Sequence, residues 1–312
     1  MDATAGALAG PGGGRRRATL RQIVALGALA MLAGAGCRGA GETTDSMVPR
    51  NWRGNPWGPQ ANAARARGEL PTIPNNPDMA VWDDWGRQNL RDGDILFRMG
   101  DARAACGLFS FSKVSAAIAD SRFSHTGIVA IEAEGPVVYD TTTTGPQRQP
   151  FPIWLLDTRG NFAVKRPRPE YQDRTRAAVA FCRDVYQRQV PFDFKMKLGD
   201  DHLYCIELTE RAYESSGLAL SQPIRLDHLP RYAEYPWTVR LLKVASSMVP
   251  QQQAYIIGNE GVGIWASPAL ELVYEAPVTL PPGIVGDGPP QPPALASRTS
   301  GRLDAPASVT RR

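Results

Sequence analysis

The sequence predicts an α+β fold with a mainly antiparallel sheet, and three observations support that prediction. Two β-rich runs, residues 125–131 and 137–142, are separated by a short Gly-Pro segment, which is typical of a β-hairpin. Residues 171–188 place apolar side chains on one face of a helix and charged side chains on the other. No internal repeat is visible, so the sequence excludes a solenoid or a propeller.

The remaining elements follow from the same patterns in chain order. Helices are predicted at residues 82–90, 111–119, 171–188 and 205–216, and Gly217 ends the last of these because glycine commonly stops a helix. Strands are predicted at residues 94–98, 125–131, 137–142, 162–165, 238–244, 253–257 and 270–274. Together these elements predict one mixed domain over residues 79–275.

The ends of the chain differ in composition from this domain. Residues 1–36 combine an Arg cluster with a small, apolar run too short to span a bilayer, which predicts a signal peptide. Residues 37–78 lack apolar periodicity and predict a flexible tether on which Trp52 and Trp57 are candidates to dock on the core. Residues 276–312 are rich in proline, which predicts a disordered tail.

Cys37 follows the small residues 33–36 and is a candidate lipidation site. The alternative is ordinary cleavage nearby, which leaves a protein without an anchor. The sequence therefore predicts export to the cell envelope or periplasm, with attachment to the membrane by a lipid anchor if Cys37 is modified.

Charge and cysteine content exclude several function classes. Lys plus Arg is 35 and Asp plus Glu is 31, a net charge of +4. Residues 1–36 hold four Arg and one Asp, and without their +3 the remaining chain carries +1. A near-neutral chain argues against a nucleic-acid partner. The four cysteines form no CxxC pair, so no structural zinc site is expected, and no residue spacing indicates another metal or a cofactor.

Cys205 is the candidate nucleophile, because it opens a predicted helix whose dipole favours a thiolate. Taken alone, a cysteine at this position is more often buried packing. His125 is the preferred base, since it begins a strand, whereas His202 and His228 lie in predicted loops. Counting about the hairpin turn places Asp140 near Gly127, where a carboxylate could hold the imidazole. The alternative is that Asp140 only starts a turn.

Four ordered motifs carry a family resemblance: residues 91–97 (RDGDILF), 123–129 (FSHTGIV), 190–194 (VPFDF) and 203–208 (LYCIEL). They resemble the YaeF/YiiX-like permuted papain-fold amidases, within the wider NlpC-type and lecithin-retinol-acyltransferase-like group. The resemblance implies a circularly permuted papain-like domain in which Cys205 is the nucleophile, His125 the base and Asp140 the acidic partner. Ile206 stands where that family usually has Ser, and Asp140 where Glu is commoner.

The implied chemistry is acyl transfer through a cysteine acyl-enzyme, with backbone N–H groups at the helix start stabilising the oxyanion. Tyr204 and Asp193 are candidate substrate-binding residues because they adjoin the motifs, and each has a structural alternative. We expect an exported amidase or peptidase acting on a cell-wall peptide or an acyl amide. The alternatives are a thiol acyltransferase or lipid esterase, and a catalytically inactive envelope-binding lipoprotein of the same fold.

Overall fold

The computed structural model describes residues 47–48, 52, 54–71, 77–100, 102–104, 109–199, 201–240 and 248–278. The predicted signal peptide, Cys37 and residues 279–312 of the proline-rich tail lie outside them. The described chain includes the α-helices α1 (Pro59–Ala66), α2 (Pro77–Asn89), α3 (Phe111–Ile118), α4 (Phe151–Leu156), α5 (Thr175–Arg188) and α6 (Cys205–Glu214), and residues 236–240 are also helical. The strands are β1 (Ile95–Arg98), β2 (Arg103–Ala104), β3 (Phe109–Ser110), β4 (His125–Glu132), β5 (Gly135–Thr142), β6 (Gly145–Pro150), β7 (Gly160–Pro167), β8 (Ile224–Arg225), β9 (Gln253–Ala254) and β10 (Leu270–Val278).

One six-stranded sheet organises the domain. Its strand order is β10-β7-β1-β4-β5-β6, and every neighbouring pair is antiparallel. The hairpin between β4 and β5 turns at residues 133–134, where the sequence predicts it. The predicted α+β fold with a mainly antiparallel sheet is therefore confirmed.

Helices cover both faces of this sheet. Because successive side chains of a strand point to opposite faces, Ile128 and Tyr139 pack in one apolar cluster with α5 and α6. Their neighbours Val129 and Val138 pack in a second cluster with α2 and α4. Strand β4 is central in the sheet, and its first residues lie between α4 on one face and α6 on the other. This arrangement positions the site.

The turn before β1 has a structural role. Asp94 is fully buried and accepts two hydrogen bonds of 2.7 Å from the Arg166 guanidinium and one of 2.9 Å from the Arg91 backbone N–H. Gly93 has a φ of +81°, and a Cβ there would lie 2.5 Å from Thr175. The motif at residues 91–97 therefore fixes β1 against α5 and supplies no group to the chemistry.

The prediction of a tether with few contacts is wrong for residues 54–71. Helix α1 occupies this stretch, and Trp57 is buried beside Met79 and Ile153. Asn62 donates hydrogen bonds of 2.9 Å to the Arg148 carbonyl and the Tyr186 hydroxyl. The contacts of this segment come from the buried Trp57 ring and the Asn62 amide rather than from a periodic apolar face. A search for apolar periodicity therefore misses them.

The later part of the chain differs most from the sequence-based elements. Residues 238–240, predicted to begin a strand, are helical, and residues 253–257 contribute only the two-residue β9. Residues 169–174 form a 3-10 turn, so α5 begins at Thr175 rather than at 171. Strand β10 continues to Val278 by pairing with β7 and takes up the first residues of the predicted tail. Tertiary pairing decides these boundaries.

Among the helices that the structure describes, none has both the length and the apolar character needed to cross a bilayer.

Candidate active site

The β4–β5 hairpin brings His125 and Asp140 together. The register pairs Ile128 with Tyr139, so that Gly127 faces Asp140 across the two strands. A Cβ at Gly127 would lie 2.5 Å from the Val138 side chain, which means that glycine permits this close approach. His125 Nε2 lies 2.6 Å from Asp140 Oδ2. The sequence-predicted proximity of these two residues is present in the structure.

Two residues that the sequence analysis did not single out hold Asp140. Trp154 in α4 donates its indole N–H to Asp140 Oδ2 over 2.8 Å. The Arg98 guanidinium lies 3.9 Å from the same oxygen and 4.2 Å from the centre of the Trp154 ring, and it also donates to the Trp154 carbonyl. Arg98 pairs directly with His125 across β1 and β4. The sequence could have indicated Arg98, because it is a charged residue at the end of an apolar strand. No feature of the sequence indicated Trp154.

Cys205 is the first residue of α6 and is half-buried. Backbone N–H groups of the first helical turn have no partner within the helix, so both they and the helix dipole favour negative charge at this point. The Cys205 carbonyl accepts hydrogen bonds of 3.2 Å from the Thr126 and Thr209 hydroxyls. Because Thr126 follows His125 directly, these bonds fix the position of the cysteine helix relative to the histidine strand.

His125 interacts with Cys205 as well as with Asp140. Burial lowers the pKa of His125, but the electrostatic interaction with Cys205 and the hydrogen bonds to Asp140 and Cys205 outweigh burial and the nearby Arg98 cation. The net result raises the pKa of His125 to about 9. A protonated imidazole next to the cysteine is what nucleophilic cysteine catalysis requires of its histidine.

An apolar pocket opens next to this pair. The space inside it that the centre of a water-sized sphere can occupy is about 110 Å³. Ser124 and Ile206, the immediate neighbours of His125 and Cys205, both line it. Helix α3 forms part of the wall, and none of the described residues lining the pocket carries a charge. The pocket can therefore enclose an apolar group beside the residues that flank His125 and Cys205.

The two predicted substrate-binding residues have structural contacts instead. Tyr204 is 2% exposed, and its hydroxyl donates to the Tyr255 carbonyl over 3.1 Å and accepts from the Tyr255 N–H over 2.6 Å. Asp193 is buried, and its carboxylate accepts the backbone N–H groups of Lys195 and Lys197 over 2.7 and 2.6 Å. Both side chains bond within the chain and shape the loop before α6.

Glu207 explains another part of the cysteine motif. Its buried carboxylate accepts the Gly199 N–H over 3.1 Å and lies 3.7 Å from Arg211. The acidic residue of the motif therefore stabilises the loop that precedes the nucleophile.

The other two histidines are not brought to Cys205. His202 is exposed ahead of α6, and His228 ends a short 3-10 turn beside Asp227. Across the described part of the chain, no group of three or more His, Cys, Asp or Glu side chains is arranged to hold a metal ion.

Comparison with known proteins agrees with this arrangement. The model of the permuted papain-like amidase family YaeF/YiiX, C92, matches residues 89–255. No curated protein matches the chain significantly. The crystal structure of metalloprotein yiiX from Escherichia coli O157:H7 is similar, with a TM-score of 0.50 and 20% sequence identity, over 60% of this chain and 97% of that one. At that identity the likeness establishes the permuted papain-like fold and nothing finer.

Proposed function

This chain belongs to the permuted papain-like amidase family YaeF/YiiX, C92, and on that premise we propose that it hydrolyses amides of apolar acyl groups through a Cys205–His125–Asp140 mechanism. Membership makes it a cysteine hydrolase of the amidase and peptidase type. The choice of substrate rests on one observation, the apolar pocket that begins at the residues flanking the nucleophile and the base.

The proposed reaction has two halves. The Cys205 thiolate attacks the amide carbonyl, the C–N bond breaks, and the His125 imidazolium gives its proton to the leaving amine. Water then attacks the thioester, His125 takes the proton from that water, and the C–S bond breaks to release the acid and restore the thiolate. Asp140 holds the imidazole by the 2.6 Å bond to Nε2, which directs the other ring nitrogen to the sulfur. The N–H groups at the start of α6 stabilise the oxyanion.

An acyl amide suits the pocket better than a cell-wall peptide does. A peptide carries N–H, C=O and carboxylate groups, and each costs free energy when it leaves water without a hydrogen-bonding partner. The described lining offers a few hydroxyls, such as Ser115 and Tyr232, and no charged group. An acyl chain loses nothing in the same place and gains about 0.8 kcal/mol for each buried methylene.

Hydrolysis of acyl p-nitroanilides from acetyl to dodecanoyl tests this function. We expect kcat/KM to rise about threefold to fourfold per methylene until the pocket is full. Cys205→Ala should abolish release of nitroaniline, whereas Cys182→Ala, which alters a buried thiol in α5, should retain it. Val114→Phe narrows the pocket from α3 and should shorten the preferred chain, and the matched Val81→Phe on the exposed side of α2 should not.

A flat response to chain length would count against the acyl pocket, and full activity in Cys205→Ala would count against the mechanism. The two results are separable because the first leaves the nucleophile intact.

The pocket favours an acyl group whether an ester or an amide carries it, so a thiol acyltransferase or lipid esterase is the second candidate. Product analysis separates the reactions: hydrolysis gives the free acid, and transfer moves the acyl group to an added amine or alcohol. We retain export and lipidation of Cys37 as part of the proposal, because the small residues 33–36 precede this cysteine. The mass of the mature N-terminal peptide tests both.

A further inference from the structure

Three exposed hydrophobic side chains belong to the chain segments that line the apolar pocket, and we call these segments its mouth. Val249 lines the pocket and is 53% exposed. Phe194 is two residues from the pocket-lining Met196 and is 52% exposed, and Trp237 is two residues from the pocket-lining Val239 and is 79% exposed. Large apolar side chains left in water at the entrance of a binding site mark an interaction surface.

Hydrogen bonds join two of the segments that form this mouth. The Gln252 amide donates to the carbonyls of Lys195 and Met196 over 2.6 Å, and the Gln252 N–H donates to the Val249 carbonyl over 3.0 Å. Phe194 and Val249 are therefore held near each other by the backbone, and their exposure is built into the fold.

The same segments are basic. Residues 194–197, 229–240 and 248–252 contain four basic residues, Lys195, Lys197, Arg231 and Arg240, and one acidic residue, Glu234, which gives a local net charge of +3. Glu234 accepts a 2.9 Å hydrogen bond from Arg231. Lys195, Lys197 and Arg240 are exposed, whereas Asp193, whose carboxylate accepts the backbone N–H groups of Lys195 and Lys197, is buried.

We propose that this mouth is a docking surface for an anionic lipid bilayer. Exposed aromatic and aliphatic side chains accompanied by Lys and Arg are the combination that binds at the headgroup level of a membrane. The basic residues meet anionic headgroups while Trp237, Phe194 and Val249 enter the interface. The pocket then faces the bilayer, so an acyl substrate passes from lipid to the thiol without crossing water.

This surface extends the proposed acyl-amide function, because it supplies a source for the acyl chain, yet docking itself needs no chemistry at Cys205. It also differs from an anchor at Cys37, which would act far along the chain from residues 194–252. Both distinctions can be built into one binding experiment.

The experiment measures co-sedimentation of the full-length chain, carrying Cys37→Ser in every sample, with phosphatidylcholine vesicles that contain or lack phosphatidylglycerol. Any contribution of residues 1–36 is common to all variants, so differences report the mouth. Trp237→Ala should weaken binding about tenfold or more, and Leu272→Ala, at a 52% exposed position on β10, should not. Lys195→Gln and Arg240→Gln should each weaken it about fivefold on the anionic vesicles alone, while Arg176→Gln, at an exposed position on α5, should not.

Equal losses for Trp237→Ala and Leu272→Ala, or binding that ignores phosphatidylglycerol, would overturn the proposal. Self-association that Trp237→Ala removes without any change in vesicle binding would also overturn it, since a second copy would then be the occupant. Cys205→Ala should bind vesicles as the parent does. If the protein with Cys205 intact binds vesicles but hydrolyses no acyl amide, the proposed function alone is wrong. If it hydrolyses acyl amides but does not bind vesicles, this inference alone is wrong.

Discussion

Replacing Asp140 with Asn should lower the pKa of His125 by about one unit while keeping the ring in place. In the native protein, burial lowers that pKa, but Cys205 and Asp140 raise it to about 9. Asn keeps a hydrogen bond but loses its charge, and a charged acceptor is worth about 1 to 1.5 kcal/mol more than a neutral one. Since one pKa unit equals 1.36 kcal/mol, the expected shift is about one unit.

The structure also predicts how the new side chain lies. His125 and Trp154 both donate to Asp140 Oδ2, at 2.6 and 2.8 Å. In Asp140→Asn the amide oxygen must take that position, because the NH₂ group would otherwise face two donors. The NH₂ then occupies the place of Oδ1, which is buried and has no hydrogen-bond partner among the described groups. Orientation is retained, so charge is the main property that changes.

Proton NMR of the imidazole signals measures this shift without a substrate. The chain has three histidines, and His125→Gln identifies the signal of interest. Asp227→Asn, which alters a carboxylate 3.8 Å from His228, is the matched control and should leave the His125 titration unchanged. Because His125 must be protonated to supply the leaving amine, kcat/KM should fall above about pH 9 in the native enzyme and about one unit lower in Asp140→Asn. An identical His125 titration in the native protein and Asp140→Asn would refute this reasoning.

Three further predictions follow from particular contacts. Trp154→Phe keeps an aromatic ring but removes the indole donor that orients the side chain of residue 140. In combination with Asp140→Asn, it should reduce kcat/KM at least about tenfold beyond the product of the two single losses. A double-variant loss equal to that product would contradict the orienting role of Trp154. Thr126→Val removes a buried hydroxyl bonded to α6, so it should lower the free energy of unfolding measured in urea by about 1–2 kcal/mol. Thr141→Val removes a buried hydroxyl with no partner among the described groups, so it should leave that free energy unchanged or raise it. Equal losses in the two variants would argue against the Thr126 contact. Burial raises the pKa of Glu210 from 4.5 to about 7, so the folded state keeps this proton to a higher pH than the unfolded state does. The free energy of unfolding should therefore fall by about 3 kcal/mol as the pH rises across that interval. Glu210→Gln should remove this pH dependence of stability, and an unchanged dependence would assign it to other groups.

Local patterns predicted the elements that carry the proposed catalytic groups. The helix start at Cys205 and the hairpin containing His125 and Asp140 depend on neighbours within a few residues in the chain. A two-residue turn fixes the register of the whole hairpin, so counting from it placed Asp140 opposite Gly127. These features could be predicted because the interactions that form them are local.

Other elements could not be predicted in the same way. Residues 145–156 contain three prolines, which conceal β6 and α4 from a pattern search, although β6 is the edge strand paired with β5 and every residue of α4 is buried. The segment at 238–240 alternates apolar and polar residues as a strand would, yet it is helical where it covers the pocket. Packing decides such short segments, since the pattern alone is ambiguous.

The sequence by itself determined the α+β class, the order of the histidine strand and the cysteine helix, and the identity of the three residues proposed to react. The tertiary structure decided that Trp154 and Arg98 hold Asp140, that Tyr204 and Asp193 shape a loop, and that an apolar pocket begins at the residues flanking Cys205 and His125. Periodicity and turns act between residues close in the chain, and they are readable there. Contacts between residues such as Arg98 and Trp154, 56 positions apart, exist only after the chain has folded.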